Sequence, residues 1–399
     1  MRKKTRMYQI QLMNKIASEA LDNFPKDLYQ VGEDFSNPDI IIARSKDLKK
    51  VEFGSKLKAV GRSGAGTNNI PVDILTERGV AVFNTPGANA NAVKELVLAG
   101  LLLSSRNLIP AASKVKEIIT DNNDSKNFSE TIESIKSKFK GVELRGKNIG
   151  IIGLGAIGVM VANTCSDMGM NVYGFDPLIS VDNAWKLSSK IHRVKVLEDL
   201  VSLSDFITIH VPLVPETSNL IDKKLLDKTK KNCTLLNFSR GEIVDIDEVV
   251  NSINKGFLKY YVSDFPDPKI IDNERVIFFP HLGASTHESE LNCAVMIVNQ
   301  IRNFIEQGTL TNSVNLPESI VPNFQASRIV IVNRNIPSMV SKITEVMGIN
   351  KININGLINT SKNEVAYNII DFDGLGFDRE KLTSDIKNID GVLNLINIS

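Results

Sequence analysis

The run KNIGIIGLGAIGVMVANTC places Gly153, Gly155 and Gly158 at the spacing of a dinucleotide-binding turn, directly after a strand-like segment and at the start of a helical one. Gly153 permits the tight turn, Gly155 lets backbone approach a pyrophosphate, and Gly158 lets the helix pack closely on the strand. Ala156 and Ile157 open that helix, whose first N–H groups are available to phosphate. Asp176 ends the following strand. A carboxylate there accepts hydrogen bonds from a ribose 2′-hydroxyl and repels a 2′-phosphate, so NAD is expected rather than NADP. Glycines alone would equally suit an ordinary packing turn; strand, helix and acid in register point to a nucleotide.

A proton carrier working near neutral pH is most readily a histidine, and the chain has four. His192 lies in the charged run KIHRVK and reads as solvated. His210 closes a strand and reads as packing beside the nucleotide, and His287 begins a polar helix. His281 follows a strand end in a loop, where α/β proteins place active-site groups. Arg240 also follows a strand, and its two-pronged donor geometry suits a carboxylate, the alternative being a surface ion pair. Gly64-Ala65-Gly66 offers backbone N–H groups to an anion.

These residues must be held by something regular. Short apolar runs at Ile40–Ala43, Leu57–Val60, Val80–Phe83, Ile149–Ile152, Val172–Phe175, Phe206–His210, Thr234–Asn237 and Val276–Phe279 alternate with helix-length segments. Unalternated apolar strands between helices predict parallel sheets covered on both faces. The fold expected is α/β: a flavodoxin-like substrate-binding lobe (1–96 and 295–318) with an inserted Rossmann nucleotide-binding domain (97–294). The polar run from Asp121 to Lys140 is expected to cross the surface, with Lys136 and Lys138 as possible charges toward a neighbouring subunit. NSVNLPESIVPNF, with Pro317 and Pro322, reads as a linker. Beyond it, the order β-α-β-β-α-β predicts a ferredoxin-like third domain over 326–399.

Composition narrows the classes. The chain has 399 residues, 42% of them hydrophobic and 23% charged, which suits several ordinary globular cores. A formal net charge of +1 gives no electrostatic case for nucleic acid or an anionic membrane. Three widely spaced cysteines form neither a disulfide framework nor a metal cluster, so no metal is expected and a reducing cytoplasm is. The basic start lacks the apolar run of a secretory signal, and Leu96–Leu103 is too short to span a bilayer.

GRSGAGTNNI, NTPGANANAV, GLGAIG, SRGEIVD and PHLGAST occur in the order of one family, and the chain resembles the D-isomer-specific 2-hydroxyacid dehydrogenases over nearly its whole length. That resemblance implies NAD-dependent hydride transfer at C2 of a phosphorylated 2-hydroxy acid, namely oxidation of 3-phospho-D-glycerate at the start of L-serine synthesis. The alternatives are another D-2-hydroxy acid (glycerate or 2-hydroxyglutarate) and a catalytically silent sensor. It implies Arg240 as the carboxylate-holding cation and His281 as the proton carrier. Val211, Phe238, Ser239, Asp264, Gly283 and Ala284 are then further cofactor contacts, with Arg240 and His281 beside the same ring. Arg44, Ser45 and Arg62 fall at substrate positions with Gly64, Ala65 and Gly66.

The family's orienting glutamate, in a stretch resembling DVFxxEP, has no counterpart in the shorter VSDFPDPK. Asp264 matches the aspartate of that stretch, and Asp267 is the candidate replacement for the glutamate. The C-terminal region resembles an ACT domain, in which Pro337 would open the first helix. Asn335 and Asn353 would contact an L-serine effector, and a homo-oligomer, dimer or tetramer, is expected.

Overall fold

The computed structural model describes residues 7–121, 128–321, 327–373 and 377–398. The chain divides into two compact units, one formed by Met1–Asn89 with His287–Ser399 and the other by Ala90–Thr286. In the first, β1 (Tyr8–Leu12), β2 (Tyr29–Gly32), β3 (Ile40–Ala43), β4 (Ala59–Arg62) and β5 (Ala81–Phe83) form a parallel sheet in the order β2-β1-β3-β4-β5, the flavodoxin-like arrangement. β3 reads IIIA and is buried throughout, as a strand covered on both faces must be. The helix His287–Gln307 lays Ala294, Ile297, Val298, Ile301, Phe304 and Ile305 into this core at helical spacing. Gly61 permits the approach, because a Cβ there would stand 2.6 Å from Ile297 Cγ1.

The second unit holds β6 (Asn148–Ile152), β7 (Asn171–Phe175), β8 (His192–Arg193), β9 (Phe206–Ile209), β10 (Cys233–Asn237), β11 (Leu258–Ser263) and β12 (Val276–Phe278). All are parallel, in the order β12-β11-β10-β9-β6-β7-β8. Successive strands run outward from β6 on one side and from β9 on the other. The crevice at the carboxyl ends of that pair is the topological switch point where such sheets bind ligands. The expected Rossmann architecture is present. The run from Asp121 to Lys140, expected as surface chain, contains the helix Phe128–Ile135 and a turn of 3₁₀-helix at Lys136–Phe139, with no buried side chain in either; residues 122–127 lie outside the described set.

The C-terminal region follows the expected order: β13 (Ser327–Arg334), a helix, β14 (Ile354–Lys362), β15 (Val365–Phe372), a second helix and β16 (Val392–Ile398), paired antiparallel as β14-β15-β13-β16. Its first helix begins at Met339 rather than Pro337, because Ser338 takes a left-handed conformation with φ 70°. The stretch read as a linker is instead packed structure, as far as Val321. Asn315 is buried; its Oδ1 accepts from Val82 N at 2.9 Å and its Nδ2 donates to Val80 O at 2.9 Å, while Leu316 is buried in the core. Isolated backbone bonds, such as Val314 N to Val82 O at 2.8 Å, hold it without a regular strand, which is why its sequence shows no periodicity. The described part of the C-terminal module shares the first unit's core through Val330, Val332, Tyr367 and Ile396. The buried Arg328 donates to Gln307 O at 2.7 Å and pairs with both oxygens of Asp371.

Candidate active site

Two of the three glycines of the fingerprint are required by the local geometry, each for a different reason, and the third borders open space. Gly153 has φ 91°, and a Cβ on it would lie 2.8 Å from the His210 carbonyl carbon. A Cβ at Gly158 would lie 2.0 Å from Gly153 O, so only glycine lets the helix Ala156–Asp167 come this close to its strand. Gly155 has nothing within 4 Å of its would-be Cβ, which leaves open space at the helix start where Ala156 and Ile157 begin. Asp176 locks the turn, its Oδ2 accepting from Leu154 N and its Oδ1 from Leu178 N, each at 2.8 Å. An open backbone cradle at a helix N-terminus, with a carboxylate at the end of the next strand, fits a dinucleotide.

Next to it, Nε2 of His210 lies 3.0 Å from Thr208 Oγ1, and the protein around the ring lowers its pKa to about 3, so it is neutral. His192 is exposed and stacks on Tyr173 at 5.4 Å.

β10 and β11 end side by side and carry the rest. Asn237, fully buried, closes β10: its Oδ1 accepts from Ser239 N at 3.1 Å and its Nδ2 donates to Arg240 O at 2.8 Å. Ser239 Oγ donates to Val211 O, and Phe238 is buried beneath. At the end of β11, Ser263 Oγ donates to Asn237 O at 2.8 Å and accepts from Phe265 N at 3.1 Å. The loops bearing Arg240 and Asp264 are thereby cross-tied.

Asp264 then gathers the third loop. Its carbonyl accepts from His281 N at 2.9 Å, and its Oδ2 accepts from Gly283 N at 2.9 Å. His281 itself has φ 47°. Asp264 Oδ1 is buried with no partner among the described residues, and burial raises the pKa of this carboxyl, opposed by Gly283 N–H, His281 and Arg240. The Phe265 ring lies 4.6 Å from the His281 ring and 6.0 Å from the Arg240 guanidinium carbon. Arg240, Asp264 and His281 are therefore brought together, with Gly283 buried and Ala284 half-buried in the same loop.

Asp267 lines a cavity of about 740 Å³ with Asp264, Phe265 and His281. Its Oδ1 accepts from Lys269 N at 2.9 Å, and among the described residues no hydrogen bond or ion pair joins it to His281.

In the first unit the loop after β3 is tightly fixed. Asn14 Oδ1 accepts from the backbone N–H groups of Arg44, Ser45 and Lys46 at 2.9, 3.2 and 3.0 Å. Asn69 Nδ2 donates to Arg44 O and Lys46 O. The Arg44 guanidinium meets Glu290 at 2.7 Å. After β4, Arg62 folds back over Gly64, whose φ is 150° and whose would-be Cβ would strike Arg62 Nη1 at 1.5 Å. Asn84 Nδ2 holds Ala65 O at 2.6 Å, and Gly66 is half-buried beside it. In the C-terminal module Asn335 and Asn353 are exposed, and their Nδ2 groups donate locally, to Asn363 O at 3.0 Å and Asn355 Oδ1 at 3.2 Å. Asn14, Asn237, Phe265 and Glu290 were not singled out from sequence. Only Asn237 left a signal there, as a polar residue ending an apolar strand.

Comparison with known proteins agrees with this geometry. Residues 101–283 match the family of D-isomer specific 2-hydroxyacid dehydrogenases, NAD binding domain. A D-3-phosphoglycerate dehydrogenase of Haemophilus influenzae is 30% identical over 355 residues, covering 86% of this chain and 82% of that protein. Those of Methanocaldococcus jannaschii and Archaeoglobus fulgidus are 31% and 34% identical over 71% of this chain, which spans only about half of their length, 53% and 52%. Two solved structures share the fold: an NAD+-bound 3-phosphoglycerate dehydrogenase of Entamoeba histolytica (24% identity, TM-score 0.61, 78% of this chain and 99% of that one) and an apo D-mandelate dehydrogenase of Rhodotorula graminis (22%, 0.66, 80% and 100%). With its glycine turn and its Arg240–Asp264–His281 cluster in place, the chain belongs to the D-isomer specific 2-hydroxyacid dehydrogenase family and carries that family's NAD-binding domain.

Proposed function

We propose that the chain oxidises 3-phospho-D-glycerate to 3-phosphohydroxypyruvate with NAD, the first step toward L-serine. The convergence of Arg240, Asp264 and His281 around Phe265 carries this reading, and the names of the relatives support the substrate. NAD would be held on Gly153, Gly155, Ala156, Ile157, Gly158 and Asp176, with Val211, Phe238, Ser239, Asp264, Gly283 and Ala284 around its reactive end, and it would supply the hydride acceptor at C2. His281 takes the proton of the C2 hydroxyl as general base. Arg240 holds the substrate carboxylate as a two-pronged cation. Asp264 fixes the His281 backbone and places negative charge beside its ring. Asp267 replaces the family glutamate by moving toward His281 when substrate is bound. Ala65 and Gly66 offer backbone N–H groups, while the Gly64 N–H, read with them, already donates to Arg62 O at 2.9 Å, and Arg44, Ser45 and Arg62 take the phosphate.

The C-terminal module is read as an ACT domain that takes L-serine at Asn335 and Asn353 in a homo-oligomer, and the three buried free cysteines suit a reducing cytoplasm. No single helix among the described residues is long and apolar enough to cross a membrane.

Asparagine tolerates the left-handed backbone that His281 adopts, so His281→Asn removes the imidazole while sparing the loop. Turnover of 3-phospho-D-glycerate should fall roughly 10²–10⁴-fold with NADH affinity, read by fluorescence titration, nearly intact. Activity within a few-fold of wild type would remove His281 as the proton carrier.

A further inference from the structure

Arg44, the residue proposed above for the substrate phosphate, already has an anion. Glu290, at the start of the helix His287–Gln307, presents Oε1 2.7 Å from Arg44 Nη1. The backbone cannot mediate a choice between this carboxylate and another anion. Three consecutive N–H groups of the loop are fixed on Asn14 Oδ1, and two of its carbonyls are fixed on Asn69 Nδ2. Only the Arg44 side-chain torsions remain to exchange partners.

The two anions are unequal. The pair is part-exposed, with side-chain exposures of 34% and 44%, and an ion pair in such a setting is weak. A phosphate monoester carries about −1.5 to −2 charge near neutral pH and can take arginine in a two-pronged bond. It therefore displaces a single carboxylate, and the resident carboxylate lowers its net affinity.

We propose that Glu290 is an intramolecular competitor for Arg44, a specificity-determining residue that the substrate's distal anion must displace. The idea rests on the phosphate role read for Arg44. It predicts an effect confined to substrates with a second anionic group and transmitted through Arg44. A residue that merely positioned Arg44 would act in the opposite direction.

The test is a double-mutant cycle on the full chain with Glu290→Gln and Arg44→Ala. Glu290→Gln should lower KM for 3-phospho-D-glycerate by about 2–5-fold, the worth of a part-exposed ion pair, and tighten binding of inorganic phosphate, measured by calorimetry, by a similar factor. For D-glycerate, which lacks the phosphate, KM should change by less than about two-fold. In the Arg44→Ala background the benefit of Glu290→Gln should vanish. A raised KM in Glu290→Gln, or an equal benefit without Arg44, overturns the proposal. If Arg44→Ala leaves KM for 3-phospho-D-glycerate unchanged in an active enzyme, Arg44 is not the phosphate ligand; the competition is then refuted while the dehydrogenase reading stands. Should no 2-hydroxy acid be turned over, that reading fails, and the phosphate titrations alone decide the competition.

Discussion

Burial penalises the charged form of a carboxyl group, and Asp264 bears that penalty with one oxygen unpartnered among the described residues. Its pKa in the folded chain is raised, so the folded state binds this proton more tightly than the unfolded state does. The group therefore contributes stability only at acid pH, and that contribution is lost as pH rises from the ordinary carboxylate range through the raised folded value. At neutral pH Asp264 is a net cost retained for its position beside His281 and Arg240. Asp264→Asn should raise Tm at pH 7 by about 1–4 °C, flatten the pH dependence of stability just above the ordinary carboxylate range, and lower kcat/KM at least ~10-fold. A fall in Tm would mean that the Gly283 N–H bond outweighs desolvation. The placement of His281, Arg240 and Asp176 just past strand ends was legible in the sequence, because an apolar run stops shortly before each. Asn14, Phe265 and Glu290 were not, because their roles exist only through partners distant in sequence. Asn14 reaches Arg44 thirty residues on.

Strands buried on both faces were the readable elements: β3 and β10 are buried throughout, β3 apolar along its whole length and β10 mostly so. β1 and β2 were missed because YQIQL and YQVG each bury only one residue, β2 being the edge strand and β1 its neighbour. β11 was missed for another reason, its LKYYVS mixing lysine and tyrosine hydroxyls into a strand that is nonetheless largely buried. The C-terminal sheet was legible as an element but not in its attachment. Beyond the shared core, Tyr367 Oη donates to Gly308 O at 2.7 Å, Lys58 Nζ to Leu395 O at 2.9 Å and Lys362 Nζ to Val314 O at 2.8 Å. Residues that bury one another this way unfold together. Truncation after Val321 should therefore lower Tm by more than ~10 °C or yield aggregated chain, followed by calorimetry and light scattering. A truncated chain with wild-type Tm would show the module to be an independent appendage.

At the scale of the whole molecule, the proposed site residues fall in two units, each built on a parallel sheet. Unit Ala90–Thr286 holds the glycine turn with Arg240, Asp264 and His281, and the other unit holds Arg44, Arg62 and the glycine loop after β4. With the chain nearly neutral, at a formal charge of +1, the proposed function leaves selection of an anionic substrate to these cations rather than to a long-range field. The most direct measurement is a set of initial rates of NAD reduction by the full chain with 3-phospho-D-glycerate, D-glycerate, D-2-hydroxyglutarate and D-lactate. The account predicts that kcat/KM for 3-phospho-D-glycerate exceeds that for D-glycerate by at least ~10², since only the phosphate engages the Arg44 side. Equal or faster turnover of D-glycerate or D-2-hydroxyglutarate would contradict it.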